Sequence, residues 1–88
     1  MSEPPLPHTA EPAVDQRIDL RGVACPMNFV RTKLALDELR VGGVLEVVLD
    51  DGEPATNVSR TLQDEGHEVL ERAPARPGHR LVIRKTRA

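Results

Sequence analysis

The chain reads as a two-layer α/β sandwich of order β-α-β-α-β-β, with two helices on one face of a four-stranded mixed sheet. Short runs of alternating or β-branched apolar residues at 17–20, 44–49, 68–72 and 80–85 have the period of strands. Two longer segments, with apolar residues three and four apart, separate the first three of these runs and read as helices. Glycine or proline marks the junctions. A chain of 88 residues forms one domain and buries only about 60% of its unfolded surface. With one Phe and no Trp or Tyr, its core has to be aliphatic.

Arg17-Ile18-Asp19-Leu20 alternates polar and apolar as a short strand does, and Gly22 breaks it. Pro26 suits a first helical position, where a missing N–H costs nothing. The helix it opens runs to about Leu39 and stops before Gly42-Gly43. Val44 to Leu49 is almost wholly apolar, which suits a central strand. Asp50-Asp51-Gly52-Glu53 forms a turn, and Pro54 opens a second helix with Ala55, Val58 and Leu62 at helical spacing. Gly66 stops it. Glu68–Arg72 and Arg80–Lys85 are strands joined through a turn at Pro77-Gly78. Strand–helix–strand units pair in parallel with right-handed crossovers, and the last hairpin adds antiparallel pairing. Met1 to about Gln16 holds Pro4, Pro5, Pro7 and Pro12 and few apolar residues, so residues 1–16 read as a flexible tail before a single domain at 17–88.

Composition narrows the function. A net charge of −2 gives no general attraction to nucleic acid or membrane. No apolar run approaches the roughly 18 residues of a membrane span, and the N-terminus lacks a basic-then-apolar leader. One cysteine excludes an internal disulfide and a multi-cysteine zinc site. Asp50, Asp51 and Glu53 fit no full calcium loop; acids before a helix read as caps and dipole partners. The expectation is a soluble cytoplasmic protein with no metal and no cofactor.

The residue with chemistry is Cys25, in Gly-Val-Ala-Cys-Pro-Met-Asn at the first strand-to-helix junction. A lone cysteine often merely packs in a core, but Gly-x-x-Cys-Pro at such a junction argues for exposure. Ser, Thr, Asp and Asn are the usual helix caps, so a cysteine beside this cap asks for a reason. Amides of a free first turn and the helix dipole favour thiolate over thiol. A dipole effect of about 0.3–2 kcal/mol takes a reference pKa of about 8.5 to roughly 7–8. Arg21, Arg31 and Lys33 add to this if they face the sulfur. His8, His67 and His79 are far from Cys25 in sequence, and no second cysteine can resolve an intermediate. The chemistry implied is an exposed thiolate that accepts a group and hands it on.

The stretch Asp19-Leu20-Arg21-Gly22-Val23-Ala24-Cys25-Pro26 resembles the signature of the TusA/SirA-like sulfur-carrier family, Asp-x-Arg-Gly-x-x-Cys-Pro-x-Pro. Lys33, Asp50-Asp51, the proline and alanine that follow, and Gly66-His67-Glu68-Val69 extend the resemblance, as does the element order. It covers about residues 17–85. It implies sulfur held as a persulfide on Cys25, received from a cysteine desulfurase or a rhodanese-type donor and passed to an acceptor protein. The protein is then a carrier subunit more than a stand-alone enzyme. By the same resemblance Asp19, Arg21 and Gly22 order the loop and Pro26 fixes the helix start. The family's second proline is replaced by Asn28, which puts a polar side chain near the sulfur and bears on the choice of partners. The 51–54 turn is longer than the usual form, and an aromatic residue common on the second helix is missing.

The first helix carries two apolar stripes. Phe29, Thr32, Leu36 and Leu39 form the one expected on the sheet. Met27, Val30 and Leu34 form the other, read as docking surface; high exposure of Val30 and Leu34 favours that, and full burial contradicts it. From Arg72 onward stand six basic residues and no acid, read as a solvated hairpin and a frayed end: Arg72, Arg76, Arg80, Arg84, Lys85 and Arg87. Two other functions compete: a binding or redox-regulatory module using Cys25, and a nucleic-acid binder using this basic hairpin. His67 is expected to be structural or solvated.

Overall fold

The computed structural model describes residues 13–86. Its elements are β1 (Gln16–Asp19), α1 (Met27–Asp37), β2 (Val44–Leu49), α2 (Glu53–Asp64), β3 (Glu68–Pro74) and β4 (His79–Arg84), in the expected β-α-β-α-β-β order. The four strands form one mixed sheet in the order β1-β2-β4-β3. β1 runs parallel to β2, while β4 is antiparallel to both of its neighbours. Residues 1–12 of the expected tail lie outside the described residues. Its last part joins the sheet, because Asp15 exchanges two bonds of 2.8 Å with Val44, one through its N–H and one through its carboxylate.

The period of two decides which face each strand residue occupies. Ile18, Leu45, Val47, Leu49, Leu81 and Ile83 share the inner face and pack with Leu36, Val58 and Leu62 from the helices. α1 lies on β2 and α2 on β3 and β4, so both helices cover that face. The opposite face is polar. Arg17 pairs with Glu46, Glu46 with Arg80, and Arg80 with Glu71, at 3.3, 3.4 and 3.0 Å. Arg84 pairs with Glu68 at 3.1 Å. Val82 lies fully buried beneath this lattice, which shows how long charged side chains cover apolar surface.

Several boundaries move by a residue or two. α1 starts at Met27, with Pro26 as the N-cap and not the first helical residue. Likewise Pro54 is the second residue of α2, behind Glu53. The expected capping role for the acids at 50–51 is not what these residues do. Gly52 is the N-cap of α2 and makes no side-chain cap bond. Asp50 instead reaches Gly22, and Asp51 faces His79 at 3.6 Å. Glu53 alone sits in the first turn as a dipole partner.

The basic tract is largely consumed by the fold. Arg80 and Arg84 belong to the ion-pair lattice, and the Arg72 guanidinium donates to the Ser59 hydroxyl at 3.3 Å. Lys85 is buried, its ammonium donating to the Leu39 carbonyl at 2.6 Å. Leu39 lies two residues past the end of α1 at Asp37, so this bond holds the turn that follows the helix. Arg76 is exposed, and Arg87 lies outside the described residues. His67 is buried and structural: its ring nitrogen accepts the Thr86 N–H at 3.4 Å.

Candidate functional site

β1 and β2 end side by side, so the loop leaving β1 lies beside the loop leaving β2 and the start of β4. Three contacts anchor it. The Asp19 carboxylate grips its own loop, accepting the Arg21 backbone N–H at 3.1 Å and two guanidinium nitrogens at 3.0 and 2.6 Å. The same guanidinium donates to the Pro77 carbonyl at 2.8 Å, tying the loop to the β3–β4 turn. The Gly22 N–H donates to the Asp50 carboxylate at 2.9 Å. Gly22 holds φ +84°, a conformation that L side chains rarely adopt. Through these bonds Asp19 and Arg21 hold the loop against the β3–β4 turn. Asp50 and Pro77 are partners that sequence reasoning missed; nothing local marks them, because each acts across a long sequence separation.

Arg21 holds the Asp19 carboxyl down to about 2, first through its side-chain hydrogen bonds and then through its backbone N–H. The Asp19 carboxylate in turn raises Arg21. The folded value lies below the ordinary carboxyl value of 3.8, so this pair supports the fold above that pH and loses its contribution as pH falls through about 2. A carboxyl NMR titration is expected to place the Asp19 midpoint near 2. Arg21→Gln is expected to return it towards 3.8.

Cys25 is exposed. The Cys25–Pro26 peptide is cis, and the sulfur precedes the N-cap of α1 by one residue. The expected cradle of first-turn amides is mostly filled by the chain itself. The Asn28 N–H donates to the Ala24 carbonyl at 3.1 Å and the Val30 N–H to the Pro26 carbonyl at 3.0 Å. The Phe29 N–H donates to the Asn28 side-chain oxygen at 2.6 Å. Only the Met27 amide, among the described residues, is left open at this end. Nor do the expected cations gather at the sulfur. Arg21 is committed to Asp19 and Pro77, and Lys33 bridges to Glu65 of α2 at 2.7 Å. Arg31 is exposed on α1 with no ion pair among the described residues. Neither His67 nor His79 bonds the sulfur: His67 lies beyond the far end of α2, and His79 faces Asp51.

Asn28 is 1% exposed, so it does not line the surface beside the sulfur as its polarity suggested. It points inward with Thr32, Ala35 and Leu36. The bond from Phe29 fixes its oxygen, and its side-chain nitrogen is left without a partner. The second stripe lies on the outer side of α1: Met27 is 49%, Val30 39% and Leu34 59% exposed, and Val41 beyond the helix is 55% exposed. Phe29, Thr32, Leu36 and Leu39 turn inward, Thr32 and Leu36 completely. Among the described residues no cluster of His, Cys, Asp or Glu is arranged to hold a metal ion. Among the described residues no helix is long and apolar enough to cross a membrane.

These features define a class: a small two-layer α/β domain that presents one exposed cysteine on an anchored loop at a helix start. Comparison with known proteins gives the family. Residues 16–85 match the family model described as sulfurtransferase TusA, and the chain belongs to that family. A candidate sulfur carrier protein of Archaeoglobus fulgidus is 43% identical over 53 residues, a match spanning 60% of each chain. The candidate sulfur carrier YedF of Escherichia coli K12 is 34% identical over 71 residues, 81% of this chain and 92% of its own. Among solved structures, a SirA-like protein from Desulfitobacterium hafniense superposes with a TM-score of 0.70 at 27% identity. That superposition covers 82% of this chain and 99% of the other.

Proposed function

We propose that the protein is a sulfur carrier that holds sulfane sulfur as a persulfide on Cys25 and relays it between a donor and an acceptor protein. The observation that supports this most is the exposure of the lone cysteine on a loop held at Asp19, Pro77 and Asp50. An exposed thiol on a fixed loop can enter a partner's active site without local unfolding. The transfer balances without an outside oxidant. The Cys25 thiolate attacks the outer sulfur of a donor persulfide, that sulfur's bond to the donor cysteine breaks, and the donor leaves as a thiolate. Delivery to the acceptor is the same exchange in the forward direction. Among the described residues no base bonds the sulfur, so catalysis belongs to the partners, a cysteine desulfurase or rhodanese-type donor and an acceptor. The exposed stripe of Met27, Val30 and Leu34 is their docking surface. With Arg80, Arg84 and Lys85 engaged inside the fold, the basic hairpin gives little support to nucleic-acid binding.

Cyanolysis tests the reading. After exposure to a desulfurase with cysteine, or to a rhodanese with thiosulfate, the protein is expected to release thiocyanate with cyanide. Cys25→Ser is expected to release none. Equal release from Cys25→Ser overturns the assignment. A thiol that takes no sulfur from either donor but forms a sulfenic acid with peroxide favours the redox-regulatory reading.

A further inference from the structure

The last hairpin places two polar residues where a purely structural sheet would carry apolar ones. β3 has a register irregularity between Val69 and Glu71. Val69 lies opposite Ile83 on the inner face, Glu71 opposite Val82 on the outer face, and Arg72 opposite Leu81, again on the inner face. His79 lies opposite Leu49 and shares that inner face. Gly52 and the first turn of α2 border this corner. The result is a recess of about 210 Å³ lined by Gly52, Ala55, Thr56, Arg72, His79 and Leu81.

We propose that this recess is a binding site for a small carboxylate-bearing group. Its size sets the class of ligand. It greatly exceeds the about 10–15 Å³ that admits one water and falls below the roughly 300 Å³ where pockets for drug-sized molecules begin. A group the size of one side chain fits; a nucleotide or an organic cofactor does not. The chemistry of the walls sets the charge. Leu81 and Ala55 are buried and give an apolar floor for a short stem. The Arg72 guanidinium is pinned to α2 by the Ser59 hydroxyl at 3.3 Å. Among the described residues no carboxylate pairs with Arg72, while Arg17, Arg21 and Arg84 each have one and Arg80 has two. A planar guanidinium has five N–H donors in a fork that matches a carboxylate, so one bond to Ser59 leaves most of that capacity free. Asp51 faces the Nδ1 of His79 at 3.6 Å, and the ring's other nitrogen is Nε2. Thr56 adds a hydroxyl.

The carboxylate has two possible sources, a free small acid or an acidic side chain of a docking protein. Gly78 separates the recess from the Cys25 loop: it precedes His79 on one side and packs against the Arg21 stem on the other. A protein engaging Cys25 therefore reaches the recess at the same end of the sheet; this second source rests on the carrier reading.

The test is an NMR titration of the full chain with sodium acetate, with sodium chloride at matched ionic strength, and with end-capped Gly-Gly-Glu-Gly-Gly. Saturable shifts are expected at the Ala55 and Thr56 amides and the His79 ring with acetate or the peptide and not with chloride. Arg72→Gln is expected to weaken them about tenfold or more, the loss of a charge-assisted bond. Ser59→Ala, which unpins the guanidinium without removing its charge, is expected to weaken them less. Tighter binding of the peptide assigns the site to a partner's side chain; equal or tighter acetate assigns it to a free acid. An equal response to chloride, or shifts that survive Arg72→Gln, overturns the proposal. A failure here leaves the cyanolysis result untouched, so the two readings stand or fall separately.

Discussion

Gly78→Ala is expected to lower the melting temperature by about 10–25 °C, the largest stability effect of any single methyl group added near the site. An ideal Cβ at this position falls 2.6 Å from the Leu49 carbonyl oxygen and 2.9 Å from the Arg21 Cδ, with φ at +109°. The Leu49 carbonyl belongs to the central strand and cannot retreat without breaking the sheet. Arg21 could swing aside, but Asp19 and the Pro77 carbonyl hold it. Overpacking costs about 1–3 kcal/mol, and left-handed backbone adds about 1–2 kcal/mol for a residue with a Cβ. The sum is on the order of 3 kcal/mol, a large share of the net stability of a small domain, and each kcal/mol moves the midpoint by about 4–8 °C in a chain of this length. The same displacement pushes Arg21 off the turn. Hydrogen exchange at Gly22 and Val23 is therefore expected to speed up more than exchange in β2. Thermal melts and exchange on the purified variant check both. A change of a degree or two, with the loop still protected, contradicts the anchoring described above.

Leu34→Glu is expected to act in the opposite way, leaving the fold intact and impairing sulfur exchange. Leu34 is 59% exposed and outside the core, so the substitution costs within about 0.5 kcal/mol of stability. If the stripe docks partners, placing a charge at its most exposed residue removes an interface anchor. Interface anchors are worth 2 kcal/mol or more, about 30-fold in affinity. The loading rate at limiting donor is expected to fall by roughly that factor, while alkylation of Cys25 by a small reagent stays unchanged. The pairing of a slow protein reaction with a normal small-molecule reaction separates docking from thiol chemistry. Unchanged loading would place docking elsewhere on the surface.

What could be read in the sequence follows from which forces are local. The order of elements came from period and punctuation, and the division of α1 into an inward stripe with Leu36 and an outward stripe with Leu34 followed from the helical repeat. Cys25 stood out because the residues around it are unusual for a helix start. Tertiary pairings were not legible. Asp50 looked like a cap for the helix that follows it and instead holds Gly22, 28 residues earlier. Lys85 looked like part of a solvated basic tract and instead closes the end of α1 from 46 residues away. Asn28 looked like a polar neighbour of the sulfur, but a start of α1 at Met27 turns it towards the core. Arg72 was the hardest to place. Strict alternation from Val69 would face Arg72 outward, but the irregularity before Glu71 reverses the faces. One inserted residue in a strand leaves little trace in composition.

The central claim is that Cys25 carries sulfur, and the most direct measurement is intact mass under non-reducing conditions after incubation with a cysteine desulfurase and cysteine. The account predicts a gain of one sulfur atom on the wild-type chain, removed by a reductant and absent from Cys25→Ser. An unchanged mass with both desulfurase and rhodanese donors, while Cys25 alkylates freely, would contradict it.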